Sequence, residues 1–380
     1  MTESIKAAHR YPEVGIPFFW PLGVAMKMGE KALALEEKNM KFLHEVIRMD
    51  VEKPKPEWAS PNKALYSLHT FTLRDFSAKS ASHEIPVLIL PPYAGHSSYI
   101  ADFHKKQSLV ETLLAHGVKR IFATEWHSAT QEMKDYDIDN YLAELHVAAS
   151  DLGGRVHLIG LCQGGWMTSM YAARYPENVA SLVLAGSPID THAGAGSIKD
   201  YANKLPMKFF EDMVATGNGL MRGCLMLEGF KNMHPDKQYV DKYFELYEHI
   251  DDPAYVKRSE IFERWYEYTI NLPGRWYLQA VRELFRENRF AKGKFMGLGR
   301  QLDPKAITCP LYLLAGEEDD ITPKEQVFAA EKYFGTPAKH VVKKLAKGGH
   351  IGLFMGSRPL AENWPGIATW LLKQDMRKAA

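Results

Sequence analysis

The chain has 380 residues, 46% of them hydrophobic, and its formal net charge at pH 7 is +1. This near balance of charge argues against a nucleic-acid-binding protein, whose contact surface is strongly basic. The length fits one large domain with an insertion, and three scattered cysteines form neither a disulfide framework nor a CxxC metal site.

The sequence carries no sign of export or membrane insertion. Its first residues lack the apolar core of a signal peptide, and no apolar run reaches the roughly 18 residues that span a bilayer. The sparse cysteines fit a reducing compartment. We therefore expect a cytoplasmic protein with no transmembrane segment and no bound metal.

The first half of the chain alternates strand and helix patterns. An amphipathic helical arm at 17–50 and a Pro- and Lys-rich linker at 51–63 come first. The segment at 65–76 alternates apolar and polar residues and predicts a half-exposed strand. The pattern then predicts strands at 85–92, 118–126, 155–161 and 179–188, and helices at 109–117 and 137–154.

The strand pattern stops near residue 190, and the next hundred residues are helical and aromatic, which predicts an inserted lid. Strands return within 309–323 and 339–350, with helices at 324–334 and 363–374. Alternating strands and helices predict a parallel sheet with right-handed crossovers. We therefore divide the chain into an arm and linker (1–60), a first core part (61–190), a lid (191–295) and a second core part (296–380).

The segment "VHLIGLCQGGW" at 156–166 predicts a nucleophile elbow around Cys162. It follows an apolar strand, precedes a helix and carries glycines two positions before and after the cysteine, where side chains would clash. The N–H of Gln163, at the helix start, would point toward an oxyanion. The alternative is a structural cysteine buried in a Gly-rich turn.

A catalytic thiol needs a base, and the base needs an acid that orients it. Asp319 and Asp320 follow the apolar strand "PLYLLAG", and His350 follows the strand "HVVKKLA". The order Cys, Asp, His is that of the α/β-hydrolases, and all three fall at carboxyl ends of strands, where open α/β sheets hold their sites. We assign His350 as general base and Asp319 as its acid; Asp320, one residue on, stays an alternative.

The loop "LPPYAGHSS" is expected to supply the second oxyanion donor, because its small residues let the backbone approach a ligand. The N–H of Tyr93 or of Ala94 would be that donor. His96 on the same loop, and Trp126 with His127 after the next strand, are candidate pocket residues. For all three the alternative is an ordinary packing or loop position.

Three segments carry a family resemblance: "GLCQGG", "AITCPLYLLAGEEDDITP" and "GGHIGLF". From about residue 85 to 372 the chain resembles the cysteine α/β-hydrolases of polyhydroxyalkanoate metabolism, which include intracellular polyhydroxybutyrate depolymerases and polyhydroxyalkanoate synthases. The resemblance implies an α/β-hydrolase fold, a mostly parallel sheet flanked by helices, with a helical lid. It also implies acyl transfer on 3-hydroxyacyl esters through an acyl-thioester on the cysteine.

The segments divide between the two members of that group. Features that resemble the synthases are the double glycine of the elbow, the segments "AITCPLYLLAGEEDDITP" and "GGHIGLF", and the length of the chain. The loop "PPYAGHSS", the lid segments "EGFKNMHPDKQYVDKYFELYEHI" and "RWYLQAVRELFRENRFAKG", and "GHIGLFMGSR" resemble the depolymerases, and Asp320 stands where synthases usually have histidine. We expect a depolymerase, with a synthase, a small acyl thioesterase and a catalytically silent granule-binding protein as alternatives.

The resemblance also sets the expected partners. No resident cofactor is expected, and CoA would enter only as an acyl acceptor or a leaving group. The substrate would be a polyester granule or a 3-hydroxyacyl-CoA, which would place the protein in the cytoplasm at polyhydroxyalkanoate granules. A homo-oligomer is compatible with the sequence.

Overall fold

The computed structural model describes residues 38–46, 55–80 and 84–376. Residues 38–46 of the predicted arm are helical; the remainder of the arm, and the linker as far as residue 54, lie outside the described residues. Two compact units are present, one containing 38–46 with Pro235–Arg264, the other containing Lys55–His234 with the chain from Trp265 onward. The boundaries placed near residues 60, 190 and 295 stay a prediction.

The strands of the main sheet in the larger unit are β1 Lys63–Ser67, β2 Phe71–Asp75, β3 Val87–Leu90, β4 Ile121–Trp126, β5 Val156–Leu161, β6 Val179–Ala185, β7 Leu311–Gly316 and β8 Val341–Ala346. In the described residues these eight form one sheet in the order β1-β2-β4-β3-β5-β6-β7-β8. β2 pairs antiparallel with β1 and β4, and every other pairing in the sheet is parallel. The predicted, mostly parallel sheet is therefore confirmed.

Burial along the strands follows from their place in the sheet. Strands β3 to β7 are buried along their whole length, as parallel strands covered on both faces are. The edge strand β8 instead exposes Lys343 and Lys344, and lysines on an edge strand oppose pairing with another chain.

The segment at 65–76 forms a hairpin, so the single strand predicted there is wrong. The N–H of Leu68 donates to the carbonyl of Phe71 at 2.9 Å and closes the turn. The carboxylate of Glu144 accepts hydrogen bonds from the N–H groups of His69 (3.0 Å) and Thr70 (2.8 Å). Because Glu144 is more than 70 residues away in the chain, the local alternation gave no sign of this turn.

Helices lie between the strands and after the last one. They are α1 Leu109–Ala115, α2 Ile138–Asp151, α3 Gln163–Arg174, α4 Ser197–Lys204, α5 Met207–Thr216, α6 Gly223–Lys231, α7 Lys242–Glu248, α8 Pro253–Glu267, α9 Gly274–Gln279, α10 Lys324–Phe328, α11 Ala330–Tyr333, α12 Gly352–Met355, α13 Ser357–Glu362 and α14 Trp364–Met376. Two π-helical segments, Lys237–Asp241 and Ala280–Arg286, lie among them. Within the described residues, none of the helices combines the length and the apolar composition that crossing a bilayer requires.

Helix α2 illustrates how the sequence sets an element. The Asp137 side chain accepts the N–H of Asp139 at 3.1 Å, and the Asn140 side chain accepts the N–H of Asp137 at 2.9 Å. Such a cap satisfies backbone donors that the first helical turn leaves without partners. Beyond the helix, Gly153 adopts a φ of +112°, which ends the element where the sequence predicts a glycine stop.

Helix α3 begins almost in contact with the end of β3. A Cβ on Gly164 would lie 2.0 Å from the carbonyl oxygen of Leu90 and 3.1 Å from that of Pro91. Both obstacles are backbone atoms of the sheet and its loop, so they cannot rotate away as a side chain could. Glycine at 164 is thus what lets the helix start at this position.

We expect Gly164→Ala to lower the free energy of unfolding by about 3 kcal/mol, because the β3 backbone must shift to admit the methyl group. The matched control is Gly229→Ala in α6, an exposed site where a Cβ would meet nothing within 4 Å. That exchange should raise the free energy of unfolding by up to about 1 kcal/mol. Urea unfolding followed by tryptophan fluorescence measures both, and equal stability of the two variants would contradict the close approach.

Candidate active site

Cys162 sits at the turn from β5 into α3, directly after Leu161 and directly before Gln163. Its backbone has φ +51° and ψ −118°, a region that residues other than glycine rarely occupy. The N–H of Cys162 donates to the carbonyl of Ala185 on β6 at 2.9 Å. Strain of this kind persists only where the surrounding structure fixes it, and here the neighbouring strand does so.

The glycines around the cysteine let the helix lie against the sheet. A Cβ on Gly160 would lie 2.3 Å from the Cα of Gly165, and a Cβ on Gly165 would lie 1.8 Å from Oγ of Ser187. The Ser187 hydroxyl donates to the carbonyl of Gly160 at 3.2 Å. The glycines of the motif therefore avoid clashes between helix and sheet, as predicted. Ser187, which no sequence motif predicts, explains why residue 165 is also glycine.

The structure brings Cys162, His350 and Asp319 together. Nδ1 of His350 lies 2.7 Å from Oδ2 of Asp319, and the imidazole is also hydrogen-bonded to the thiol of Cys162. Because Nδ1 faces the carboxylate, the other ring nitrogen, Nε2, faces the sulfur. Asp319 is itself held by the N–H groups of Ile321 (3.1 Å) and Thr322 (2.8 Å), which fixes the carboxylate in its loop.

Burial and charge act in opposite directions on His350. Burial by itself lowers the pKa of the imidazole, since a charged ring loses its hydration. The negative charges of Asp319 and Cys162, and the hydrogen bonds to both, more than offset this and raise the pKa of His350 well above its ordinary value. The arrangement therefore favours a protonated imidazole between two acidic groups.

Asp320 occupies a different environment from its neighbour. Its Oδ2 lies 2.8 Å from Nε2 of His234, and both side chains are about half exposed. His350 donates its hydrogen bond to Asp319 and not to Asp320, so the structure separates two residues that their spacing in the sequence could not. His234 lies 86 residues away in the chain, and no sequence motif predicts its contact with Asp320.

The residues predicted to hold an oxyanion differ in what they can offer. Gln163 is the first residue of α3, and an N–H at this position has no acceptor within its own helix. The ring of Tyr93 is fully buried, and its hydroxyl contacts the carbonyls of His127 (3.2 Å) and Asn271 (3.1 Å). Tyr93 therefore anchors the loop with its side chain and leaves only its backbone amide, beside that of Ala94, as a candidate donor.

Trp126 and His127 take structural positions. Trp126 is buried, and its Nε1–H donates to the carbonyl of Pro91 at 2.8 Å, which braces the start of the same loop. Nε2 of His127 lies 2.9 Å from the hydroxyl of Thr72. The contacts of both side chains support the packing alternative for these two residues.

His96 is enclosed by aromatic rings. It is buried, with the rings of Trp265 and Tyr266 stacked at centroid distances of 5.1 and 5.2 Å, and the ring of Phe230 lies at 5.8 Å. It is on the loop that carries Tyr93 and Ala94, so it is a neighbour of the candidate oxyanion donors along the chain.

A family described as "Protein of unknown function (DUF3141)" matches residues 27–356. The chain belongs to this family. The match covers most of the chain and includes all three members of the Cys162, Asp319 and His350 cluster. The family description assigns no activity, so relatives and solved structures supply the comparison.

Among curated relatives, this DUF3141 chain is similar to proteins named poly(3-hydroxyalkanoate) polymerase subunit PhaC. The protein of Haloferax mediterranei is 25% identical over 325 residues, covering 83% of this chain and 64% of the relative. That of Allochromatium vinosum is 26% identical over 325 residues, covering 82% and 88%. That of Synechocystis is 22% identical over 376 residues, covering 96% and 97%. These names support the synthase part of the resemblance and do not support the depolymerase part.

Solved structures establish the fold. A carboxylesterase structure from Nitrososphaera gargenis superposes with a TM-score of 0.51 at 15% identity, covering 82% of this chain and 99% of that one. The Bacillus megaterium epoxide hydrolase superposes with a TM-score of 0.51 at 14% identity, covering 81% and 99%. Together with the sheet order, these neighbours confirm the predicted α/β-hydrolase fold of the DUF3141 chain.

We expect Asp319→Asn to lower the pKa of His350, because the substitution removes the carboxylate that stabilises the imidazolium. Asp320→Asn is the matched control, since the same chemical change one residue away affects a group paired with His234. Titration of the His350 ring by NMR measures the pKa in each variant. A lowered pKa in Asp320→Asn with none in Asp319→Asn would contradict the geometry.

Proposed function

We propose that this protein transfers 3-hydroxyacyl groups from CoA thioesters through Cys162, in the manner of a polyhydroxyalkanoate polymerase. The observation that carries the proposal is the hydrogen-bonded series Cys162, His350, Asp319 at a strained strand-to-helix turn. Nucleophile, base and orienting acid in this arrangement support acyl transfer. The polymerase names of the relatives support the choice of substrate.

The first half-reaction loads the acyl group onto the enzyme. Because His350 already holds the proton at Nε2, the sulfur of Cys162 attacks the thioester carbonyl as a thiolate. The N–H of Gln163 and one from the Tyr93–Ala94 loop stabilise the oxyanion. The intermediate then collapses, the carbon–sulfur bond to CoA breaks, and the leaving thiolate takes the proton from His350.

The second half-reaction extends a chain. The 3-hydroxyl of an acceptor acyl group attacks the acyl-thioester carbonyl and gives its proton to His350. An ester bond forms, and the bond to Cys162 breaks to restore the thiolate beside the protonated imidazole. Asp319 keeps the imidazole oriented and stabilises its charge in both steps.

A thiol nucleophile suits this exchange better than a hydroxyl. Transfer from CoA to cysteine replaces one thioester by another, so the acyl-enzyme lies near the substrate in free energy. Plain hydrolysis of a small ester gains nothing from that match. The cysteine at the elbow therefore favours CoA-linked transfer over simple ester hydrolysis.

The choice of polymerase departs from the depolymerase that the lid and base segments favoured. Those segments are local matches, whereas the similarity to the Allochromatium and Synechocystis polymerase subunits covers 88% and 97% of the relatives' lengths. The longer comparison outweighs the shorter one. Granule association, a homo-oligomeric state and the role of CoA as leaving group stay parts of the proposal.

We expect Cys162→Ala to abolish CoA release from 3-hydroxybutyryl-CoA, and His350→Gln to reduce the rate by about a thousandfold or more, as loss of a triad base does. Cys224→Ala removes an exposed free cysteine and should leave the rate unchanged. A thiol reagent that detects released CoA measures all three. Turnover by Cys162→Ala would remove the proposal.

The products distinguish polymerase from its alternatives. Purified protein is given 3-hydroxybutyryl-CoA in one reaction and amorphous polyhydroxybutyrate granules in another. We expect CoA release with formation of insoluble polymer in the first and no soluble product in the second. CoA release with only free acid would indicate a thioesterase, and soluble hydroxyacid from granules would indicate a depolymerase; either result would overturn the proposed activity.

A further inference from the structure

One buried nitrogen beside the candidate oxyanion loop is not used by the mechanism above. His96 is 8% exposed, and within the described part of the chain nothing forms a hydrogen bond with its Nε2. Buried polar atoms in folded proteins are nearly always hydrogen-bonded, because an unpaired one loses its hydrogen bonds to water and gains none in the protein. An exception therefore points to a group that arrives from outside the chain.

The surroundings of His96 hold it rigidly. The carbonyl of Gly95 accepts the N–H of Ile270 at 2.8 Å, and the carbonyl of Ser97 accepts the indole N–H of Trp265 at 3.2 Å. These two bonds bracket His96 along the chain, and the ring itself stacks on Trp265 and Tyr266 at interplanar angles of 28° and 20°. Hydrogen bonds thus hold the backbone on both sides of His96, and aromatic stacking holds its imidazole ring.

The ring is neutral. Burial lowers the pKa of His96 to about 4, although backbone hydrogen bonds at Tyr266 and Ala94 and the carboxylate of Glu267 act against the shift. Nε2 has no hydrogen-bond partner among the described residues, so we assign the ring proton to Nδ1. Nε2 is left as a bare acceptor.

Lys231, whose charge also acts on the pKa of His96, is engaged with another partner. The ammonium of Lys231 lies 2.6 Å from Oε1 of Glu267, and both side chains are buried. A buried charge pair of this kind holds together because each partner compensates the other's lost hydration. Lys231 is therefore paired with Glu267 and is not the donor to Nε2 of His96. We infer that a neutral hydroxyl or amide group fills that role.

We propose that Nε2 of His96 accepts a hydrogen bond from the 3-hydroxyl of the acyl group, which makes His96 a specificity-determining residue. The proposal rests on the acyl transfer proposed above. The acyl part of such a thioester has one donor, its 3-hydroxyl, whereas its carbonyl only accepts. Two residues of chain span at most about 7 Å, so His96 lies within reach of an acyl group held at the amide of Ala94.

The test compares 3-hydroxybutyryl-CoA with butyryl-CoA, which lacks the hydroxyl. Wild-type protein should release CoA faster from the hydroxylated substrate, and His96→Phe, which keeps an aromatic ring but no acceptor, should reduce the ratio of the two rates by about 100-fold. His96→Gln, whose amide oxygen can accept the same bond, should retain most of the ratio. Thermal unfolding checks that each variant is folded.

His157→Asn is the control for loss of a buried imidazole. His157 is buried but has partners at both nitrogens, Ser181 at 2.7 Å and Asp375 at 3.0 Å, so its substitution should leave the rate ratio unchanged. A ratio near one in the wild type, or an unchanged ratio in His96→Phe, would overturn the role of His96. Absence of CoA release from both substrates in the wild type would instead overturn the proposed function itself.

Discussion

The backbone conformation of Cys162 is the constraint on which the site depends. A φ of +51° at a non-glycine residue turns the chain from strand to helix in one step, and it is tolerated because helix α3 lies against the sheet. That contact exists only where Gly164 meets the Leu90 carbonyl and Gly165 meets Ser187 without a Cβ. The turn places the thiol and the first N–H of the helix side by side, which is the pairing that an acyl-transfer site requires.

Parallel pairing of the strands brings Asp319 and His350 to the same edge of the sheet as Cys162. β7 pairs with β6 and β8, so the loops after β7 and β8 open at the edge where β5 ends in the elbow. Asp319, and not Asp320, is the partner of His350, because the N–H groups of Ile321 and Thr322 hold the Asp319 carboxylate in position. His350 is consequently fixed between a rigid carboxylate and the sulfur.

The sequence was sufficient for features that repeat along the chain or follow from topology. The strands around Cys162, the elbow glycines and the meeting of Cys162, Asp319 and His350 were all expected from apolar runs and from the carboxyl-end rule. Contacts between residues distant in the chain could not be predicted, such as that of Glu144 with the hairpin turn and that of His234 with Asp320. The sequence also could not decide between polymerase and depolymerase, because both share the chemistry of the elbow.

Two buried histidines show how one fold sets opposite protonation states. His350 and His96 are both withdrawn from water, and burial lowers the pKa of each. His350 faces a carboxylate and a thiol, whose charges reverse that effect, while His96 faces aromatic rings and backbone carbonyls, which do not. The first ring is suited to holding and passing a proton, and the second to accepting a hydrogen bond without ionising. Burial therefore decides the charge of the His96 ring, whereas the acidic partners of His350 override burial, and the two rings take opposite protonation states within one fold.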